Sequence, residues 1–124
     1  MPESCLFCRI AKGEIPAKIV AQNDHSVAFR DINPQAPVHV VIIPREHVPS
    51  LSVANDPALV GRLALLAAEI AKSEGIAESG YRTVINTNAD AGQTVFHVHL
   101  HLLGGRRMTW PGVWRIATCS TRKL

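Results

Sequence analysis

Long apolar runs, aromatic side chains and cysteines are all scarce in this chain, and each scarcity narrows what it can be. No apolar stretch approaches the ~20 residues needed to cross a bilayer, so no membrane association is expected. The N-terminal Met1-Pro2-Glu3-Ser4 offers no basic stretch leading into an apolar core, from which we expect no signal peptide and a cytoplasmic location. Three cysteines without an export signal do not make a disulfide framework. Aromatics make up 5% of a chain that is 47% hydrophobic, so the core is expected to be aliphatic. At 124 residues there is room for one domain with one core. Acidic residues are missing from 91–124, where Arg106, Arg107, Arg115, Arg122 and Lys123 carry all the charge, while residues 1–90 have a balance of −2. A basic final third attracts anionic ligands, but charges this widely spread, without interleaved aromatics, predict no specific nucleic-acid partner.

What the sequence does have is histidine in one place. His97, His99 and His101 alternate with Val98, Leu100 and Leu102, so half of the six histidines fall within five residues. An extended backbone points alternate side chains to opposite faces, so a strand here lines one face with imidazoles and the other with aliphatics. At ~3.3 Å per residue the outer histidines stand roughly 13 Å apart, about the length of a mononucleotide. Imidazole titrates near neutrality and serves as nucleophile, acid, base or metal ligand. Three polar rings in alternation are costly to bury without purpose. Alternate histidines on a strand also converge on zinc, so a metal site using all three is the competing reading.

Around this run the pattern predicts an α+β fold, with a mostly antiparallel sheet of about five strands, one long helix and a short N-terminal helix. The short helix covers 5–12 and carries Cys5 and Cys8, a C-x-x-C pair open to redox, metal-binding or incidental readings. Its place at the chain's start, with no preceding strand, argues against redox work. Strands are expected at 19–21, 26–30, 38–44, 81–86 and 97–103. In the third, Val38, Val40 and Ile42 share one face, with His39, Val41 and Ile43 on the other. The long helix runs from Pro57 to Glu74, with Asp56 as N-cap and Gly75 as stop.

The run His97-Val98-His99-Leu100-His101-Leu102-Leu103 resembles the defining motif of the histidine-triad (HIT) nucleotide hydrolases and transferases. Phe7, Gly13–Lys18, Asp31–His39, Gly92-Gln93-Thr94 and Met108–Gly112 make the chain similar to the Hint branch, the purine nucleoside phosphoramidases. This resemblance implies a HIT domain over 1–112 and a homodimer whose sheets join. It implies hydrolysis of the P–N bond of nucleoside 5′-phosphoramidates, with adenosine as the expected nucleoside, and release of AMP. His99 is implied as the nucleophile that forms a nucleotidyl-histidine, with His101 and His39 binding phosphate and assisting proton transfer. Neutral imidazole suits this role, provided its other nitrogen is hydrogen-bonded so that the attacking one stays unprotonated; in the family a backbone carbonyl does this. Asn86, Gln93 and Thr94 are implied phosphate contacts, and Asp31 an acceptor for the ribose hydroxyls. Phe7, Phe29 and Ile32 are implied to wall the base, although for the two phenylalanines a plain core role fits as well. Trp110 falls near the leaving group or the partner subunit.

Some members also bind structural zinc through an N-terminal C-x-x-C and two histidines, which map here onto Cys5, Cys8, His47 and His97. Such a site is closed and leaves His99 and His101 for chemistry. No organic cofactor is expected. Other readings are a zinc hydrolase built on all three triad histidines, a nucleotide-binding sensor or scaffold with little turnover, and a dinucleoside polyphosphate hydrolase. Residues 113–124 continue past the resemblance as an extension of unknown role.

Overall fold

The computed structural model describes residues 4–112; the expected extension, 113–124, lies outside the described residues. In chain order the elements are α1 (Leu6–Ala11), β1 (Ile19–Gln22), β2 (Ser26–Arg30), β3 (Val38–Pro44), α2 (Pro57–Ser73), β4 (Tyr81–Val84) and β5 (Leu100–Gly104). Single 3₁₀ turns at Leu51–Val53 and Ala89–Ala91 interrupt loops for which the sequence predicts no helix. The five strands form one antiparallel sheet in the order β1-β2-β3-β5-β4, as the α+β reading expects.

α2 forms where its sequence says it should. The Asp56 carboxylate accepts from the Ala58 N–H at 3.0 Å, Pro57 opens the first turn, and Gly75 takes a left-handed φ of +76° just past the end. Leu59, Leu63, Leu66, Ala67, Ile70 and Ala71 make its buried stripe. That stripe packs on Ala28, Val40, Ile42, Val98, Leu100 and Leu102 from one face of the sheet. Gly104 ends β5 as a glycine because Ile76 presses on it: an added Cβ would meet Ile76 Cδ1 at 2.5 Å.

The other face has two halves. Beside β2 and β3, α1 lays Phe7 and Ile10 on Val27, Phe29, Val41 and Ile43. Beside β5 and β4, the same face carries the histidines. Val41 and Val84 both pair with His101, and His39 and Arg82 both pair with Leu103, so His39, His101 and Arg82 stand on one surface. Strand alternation thus sorts aliphatics under α2 and imidazoles away from it.

Two strands are shorter than the sequence predicts. The ladder of β5 starts at Leu100, not His97, because its partner ends in Pro44, which has no N–H to give. The Pro44 carbonyl instead accepts from the His97 ring at 2.8 Å, and the Val98 N–H goes to the Val48 carbonyl at 2.7 Å. β4 stops at Val84 rather than Asn86, paired with His101 one residue from the start of β5.

One ion pair ties the sheet to the far end of α2. Arg30 reaches Glu74 through two bonds, at 2.7 and 2.9 Å, and holds that carboxylate below its ordinary range. A lowered carboxylate pKa stabilises the fold above the unfolded pKa, and the contribution fades as pH falls through the folded value. Glu74→Gln is therefore expected to lower unfolding free energy by about 0.5–1 kcal/mol at neutral pH, since Arg30 remains partly solvated. Urea titrations at pH 7 and pH 3.5 check this: the gap between the proteins should close at the lower pH.

Candidate active site and metal centre

The histidine face opens into a cavity of about 1120 Å³. His99 and His101 line it together with Asp31, Asn86 and Thr94. Its apolar wall comes from Phe7, Phe29 and the fully exposed Ile32, with Trp110 across the opening. Phe7 and Phe29 meet edge-on at 5.6 Å and belong to the core as well, so both roles predicted for them are compatible.

His99 is buried, and its Nδ1–H donates to the carbonyl of His97 at 2.8 Å. That bond leaves Nε2 as the nitrogen with the lone pair. Burial lowers the pKa of the ring, opposed by the His97 carbonyl and the charge of Asp31, so the neutral form dominates near pH 7. Phe7 packs edge-on against it, ring centres 5.0 Å apart at 89°.

The protons of His101 and His39 can be read from a backbone amide. The Gln35 N–H donates to His39 Nδ1 at 3.0 Å, which puts the His39 proton on Nε2. Nε2 lies 2.9 Å from His101 Nδ1, so His101 accepts there and carries its own proton on Nε2. An Asp31 carboxylate oxygen lies 3.4 Å from His39 Nε2. Burial, then the charges of His99 and His39, push His101 down to about 3; burial also lowers His39, against the pull of Asp31. His39 does not line the cavity and meets it through His101 and Asp31, which do. Asp31, His39 and His101 are close enough to hold a cation, but the proton on His39 Nε2 makes them a hydrogen-bonded chain.

Gln93 is also displaced from its expected role. Its side-chain oxygen accepts from the Asn88 N–H at 2.7 Å, and its nitrogen donates to the carbonyls of Pro49 and Val95. It is buried and does not line the cavity; it shapes the loop that presents Thr94 and Asn86. The residue it clamps, Asn88, sits at φ +69°, ψ −176°, a region almost reserved for glycine. Arg82, which the sequence did not single out for the pocket, lines it, as does Asp90. Arg82 also donates to the Thr109 carbonyl at 2.9 Å and so holds the segment before Trp110. A charged residue in a predicted strand carries no signal of this kind.

Cys5, Cys8, His47 and His97 bring four ligand atoms within 4.8 Å of one another. Cys5 and Cys8 Sγ lie 3.4 and 3.5 Å from His97 Nδ1, Cys8 Sγ lies 3.2 Å from His47 Nδ1, and the two Nδ1 atoms are 3.2 Å apart. A tetrahedral zinc ion, about 2.0 Å from nitrogen and about 2.3 Å from sulfur, requires edges of roughly 3.3 Å between nitrogens and roughly 3.5 Å between nitrogen and sulfur. The donor set and its spacing fit zinc. His97 is prepared for it, because its Nε2–H is bonded to Pro44 and Nδ1 keeps its lone pair. Burial is the main reason His97 falls to about 4 and the Cys8 thiol rises to about 11, shifts that a bound cation opposes at the thiol. This arrangement also corrects the three-histidine metal reading. The ring nitrogens of His97, His99 and His101 point to three different partners and do not converge.

The sequence profile of the HIT domain matches residues 12–108. A purine nucleoside phosphoramidase of Escherichia coli is 51% identical over 109 residues, covering 86% of this chain and 91% of that protein. The crystal structure of a HIT family hydrolase from Legionella pneumophila superposes with a TM-score of 0.85 at 51% identity, over 87% of this chain and 98% of that one. A Zn-bound histidine triad family protein from Mycobacterium smegmatis superposes with a TM-score of 0.76 at 32% identity, over 83% and 76% of the two chains. The chain belongs to the HIT family of hydrolases.

The strained Asn88 yields a test of the loop. Glycine relieves a backbone penalty of about 1–3 kcal/mol and adds about 0.5–1 kcal/mol of unfolded-chain entropy. Asn88→Gly is thus expected to stabilise the protein by about 1 kcal/mol, raising the thermal midpoint by a few degrees. Scanning calorimetry of the two proteins measures it; a lowered midpoint would show that the asparagine side chain holds the loop.

Proposed function

We propose that this chain is a phosphoramidase that cleaves the P–N bond of nucleoside 5′-phosphoramidates, with adenosine as the nucleoside, and releases AMP. The observation that carries this reading is the bond from His99 Nδ1–H to the His97 carbonyl, beside a cavity large enough for a nucleotide. It keeps a lone pair on Nε2 of a neutral ring at physiological pH, which is what a nucleophile for phosphorus needs. In the proposed reaction Nε2 attacks the α-phosphorus and the P–N bond breaks. The His97 carbonyl then stabilises the cationic ring of the nucleotidyl-histidine through the Nδ1–H.

The leaving amine needs a proton, and neutral His101 alone is too weak an acid to give one. A bound phosphate anion favours the protonated form of the His39–His101 pair, and the Asp31 carboxylate beside His39 favours it further. In our reading the charged pair hands its proton to the amine through His101 Nε2. Water attacking phosphorus returns a proton to the pair, the P–N bond to His99 breaks, and both groups are restored for the next cycle. Asn86 and Thr94 contact the phosphate as neutral donors, Asp31 accepts from the ribose hydroxyls, and Phe7, Phe29 and Ile32 hold the base. Gln93 acts on the phosphate contacts by fixing the loop.

The Cys₂His₂ set is proposed to hold a structural zinc ion that ties the N-terminal knuckle to the strand; the HIT chemistry needs no metal of its own. A homodimer through β4 is supported by that strand's free edge, by its place on the cavity rim, and by the exposed Leu65, Tyr81 and Trp110. Among the described residues no helix is long and apolar enough to cross a membrane, and we take the protein to work in the cytoplasm.

Steady-state turnover tests the reading against its rivals. Adenosine 5′-phosphoramidate should be hydrolysed in preference to diadenosine tetraphosphate. His99→Ala should lose about 10⁴-fold or more in kcat/KM, with AMP binding largely retained. His39→Ala should lose about 10²-fold, as a group acting through the proton donor. Tight AMP binding without turnover by the native chain would instead identify a sensor, and faster cleavage of the dinucleotide would identify a polyphosphate hydrolase.

A further inference from the structure

The four-ligand centre is joined to the nucleophile through each of the segments that supply its ligands. Phe7 is flanked by Leu6 and Cys8 within the Cys5–Cys8 knuckle, and its ring lies edge-on to His99 at 5.0 Å and to His97 at 6.0 Å. His97 offers its ring to the centre through Nδ1 and its carbonyl to His99 Nδ1 at 2.8 Å. The residue after His47, Val48, takes the N–H of Val98, which lies between the two histidines, at 2.7 Å. Segments that supply all four ligands therefore also supply the ring wall, the tautomer-setting carbonyl and the backbone anchor of one imidazole. No sheet hydrogen bonds replace them, because the ladder of β5 begins only at Leu100.

We propose that the Cys₂His₂ centre is a positioning device for His99: metal binding fixes the tautomer and orientation of the nucleophile through His97, and the base wall through Phe7. The inference rests on the zinc reading and goes beyond it, since a merely structural ion would stabilise the fold and leave the site's chemistry alone. His97 and Phe7 are then positioning residues for the reaction. Without the ion, donor–acceptor and ring contacts still join the knuckle, His47 and His97, but none fixes their relative geometry as coordination does, so the His97 peptide and the Val48 loop that holds it can shift together. The His99 proton is then shared between Nδ1 and Nε2, and the ring wall loosens.

The test uses the full chain, dialysed against chelator and then titrated with zinc chloride. Native mass spectrometry counts the ion, calorimetry follows AMP affinity, and ¹⁵N NMR of the histidine rings follows the His99 tautomer. One zinc per chain is expected. Its removal should leave the far-ultraviolet dichroism in place, weaken AMP binding about tenfold and turn the single His99 Nδ1–H tautomer into a mixture, all reversed by zinc. Two substitutions at His47, which does not touch His99, separate ligation from packing. In zinc-containing buffer, His47→Cys should keep the native tautomer and affinity, and His47→Ala should lose them. If the metal-free chain unfolds, this pair of variants decides. One zinc bound, with the His99 spectrum and AMP affinity indifferent to its removal, would overturn the proposal while sparing the zinc reading. No zinc bound would overturn both.

Discussion

The hydrogen bond from His99 Nδ1 to the carbonyl two residues before it decides which nitrogen of that ring is free to react. A neutral histidine ring carries its proton on either Nδ1 or Nε2, and only the first choice leaves a nucleophile on the side away from the backbone. A carbonyl supplied by the segment leading into β5 fixes the choice without a charged partner, so the ring stays neutral and its lone pair available. Burial under Phe7 reinforces this by disfavouring the protonated ring. Much of the surrounding architecture serves to hold this short stretch, from His97 to His99, outside the sheet.

That position follows from the strands. The ladder between β3 and β5 ends at Ile42 and Leu100, two residues before Pro44, which leaves a carbonyl for the His97 ring and lets the Val98 amide bond a loop. Further along, where the ladder is intact, His101 sits in register with Val41 and meets His39 of the same strand, whose tautomer is dictated by the Gln35 amide. Two imidazoles on one sheet face thus have their protons set by two backbone groups, a carbonyl for His99 and an amide for His39. The third, His97, turns from the cavity and joins the knuckle. Three residues of one type, at one spacing, end in three different environments.

Alternation made the face of His101 legible in the sequence, because the pleat leaves a strand side chain no other choice, but the expected strand does not reach back to His97, which turns to the knuckle instead. The long helix was legible for a similar reason: its cap, its stop and its apolar stripe agree. Companions brought by other strands were not legible from the residues alone. His39 and His47 are isolated histidines in their own segments, and only the resemblance to the HIT family drew them in. The same resemblance named Gln93 as a phosphate contact, but its amide is turned to its own loop, where it holds the strained Asn88. A left-handed asparagine gives no sign in a sequence that is free to place it in any turn. Arg82 on the rim escaped notice because an edge strand's charges are usually just solvated.

The account depends on His99 becoming covalently attached to the nucleotide. Intact-protein mass spectrometry after a rapid, acid-free quench with adenosine 5′-phosphoramidate addresses this directly. The native chain should gain the mass of one adenylyl group, more slowly where chelator has removed the ion, and His99→Ala should gain none. An adduct that survives in His99→Ala, or turnover of the native chain with no adduct on any quench timescale, would contradict it.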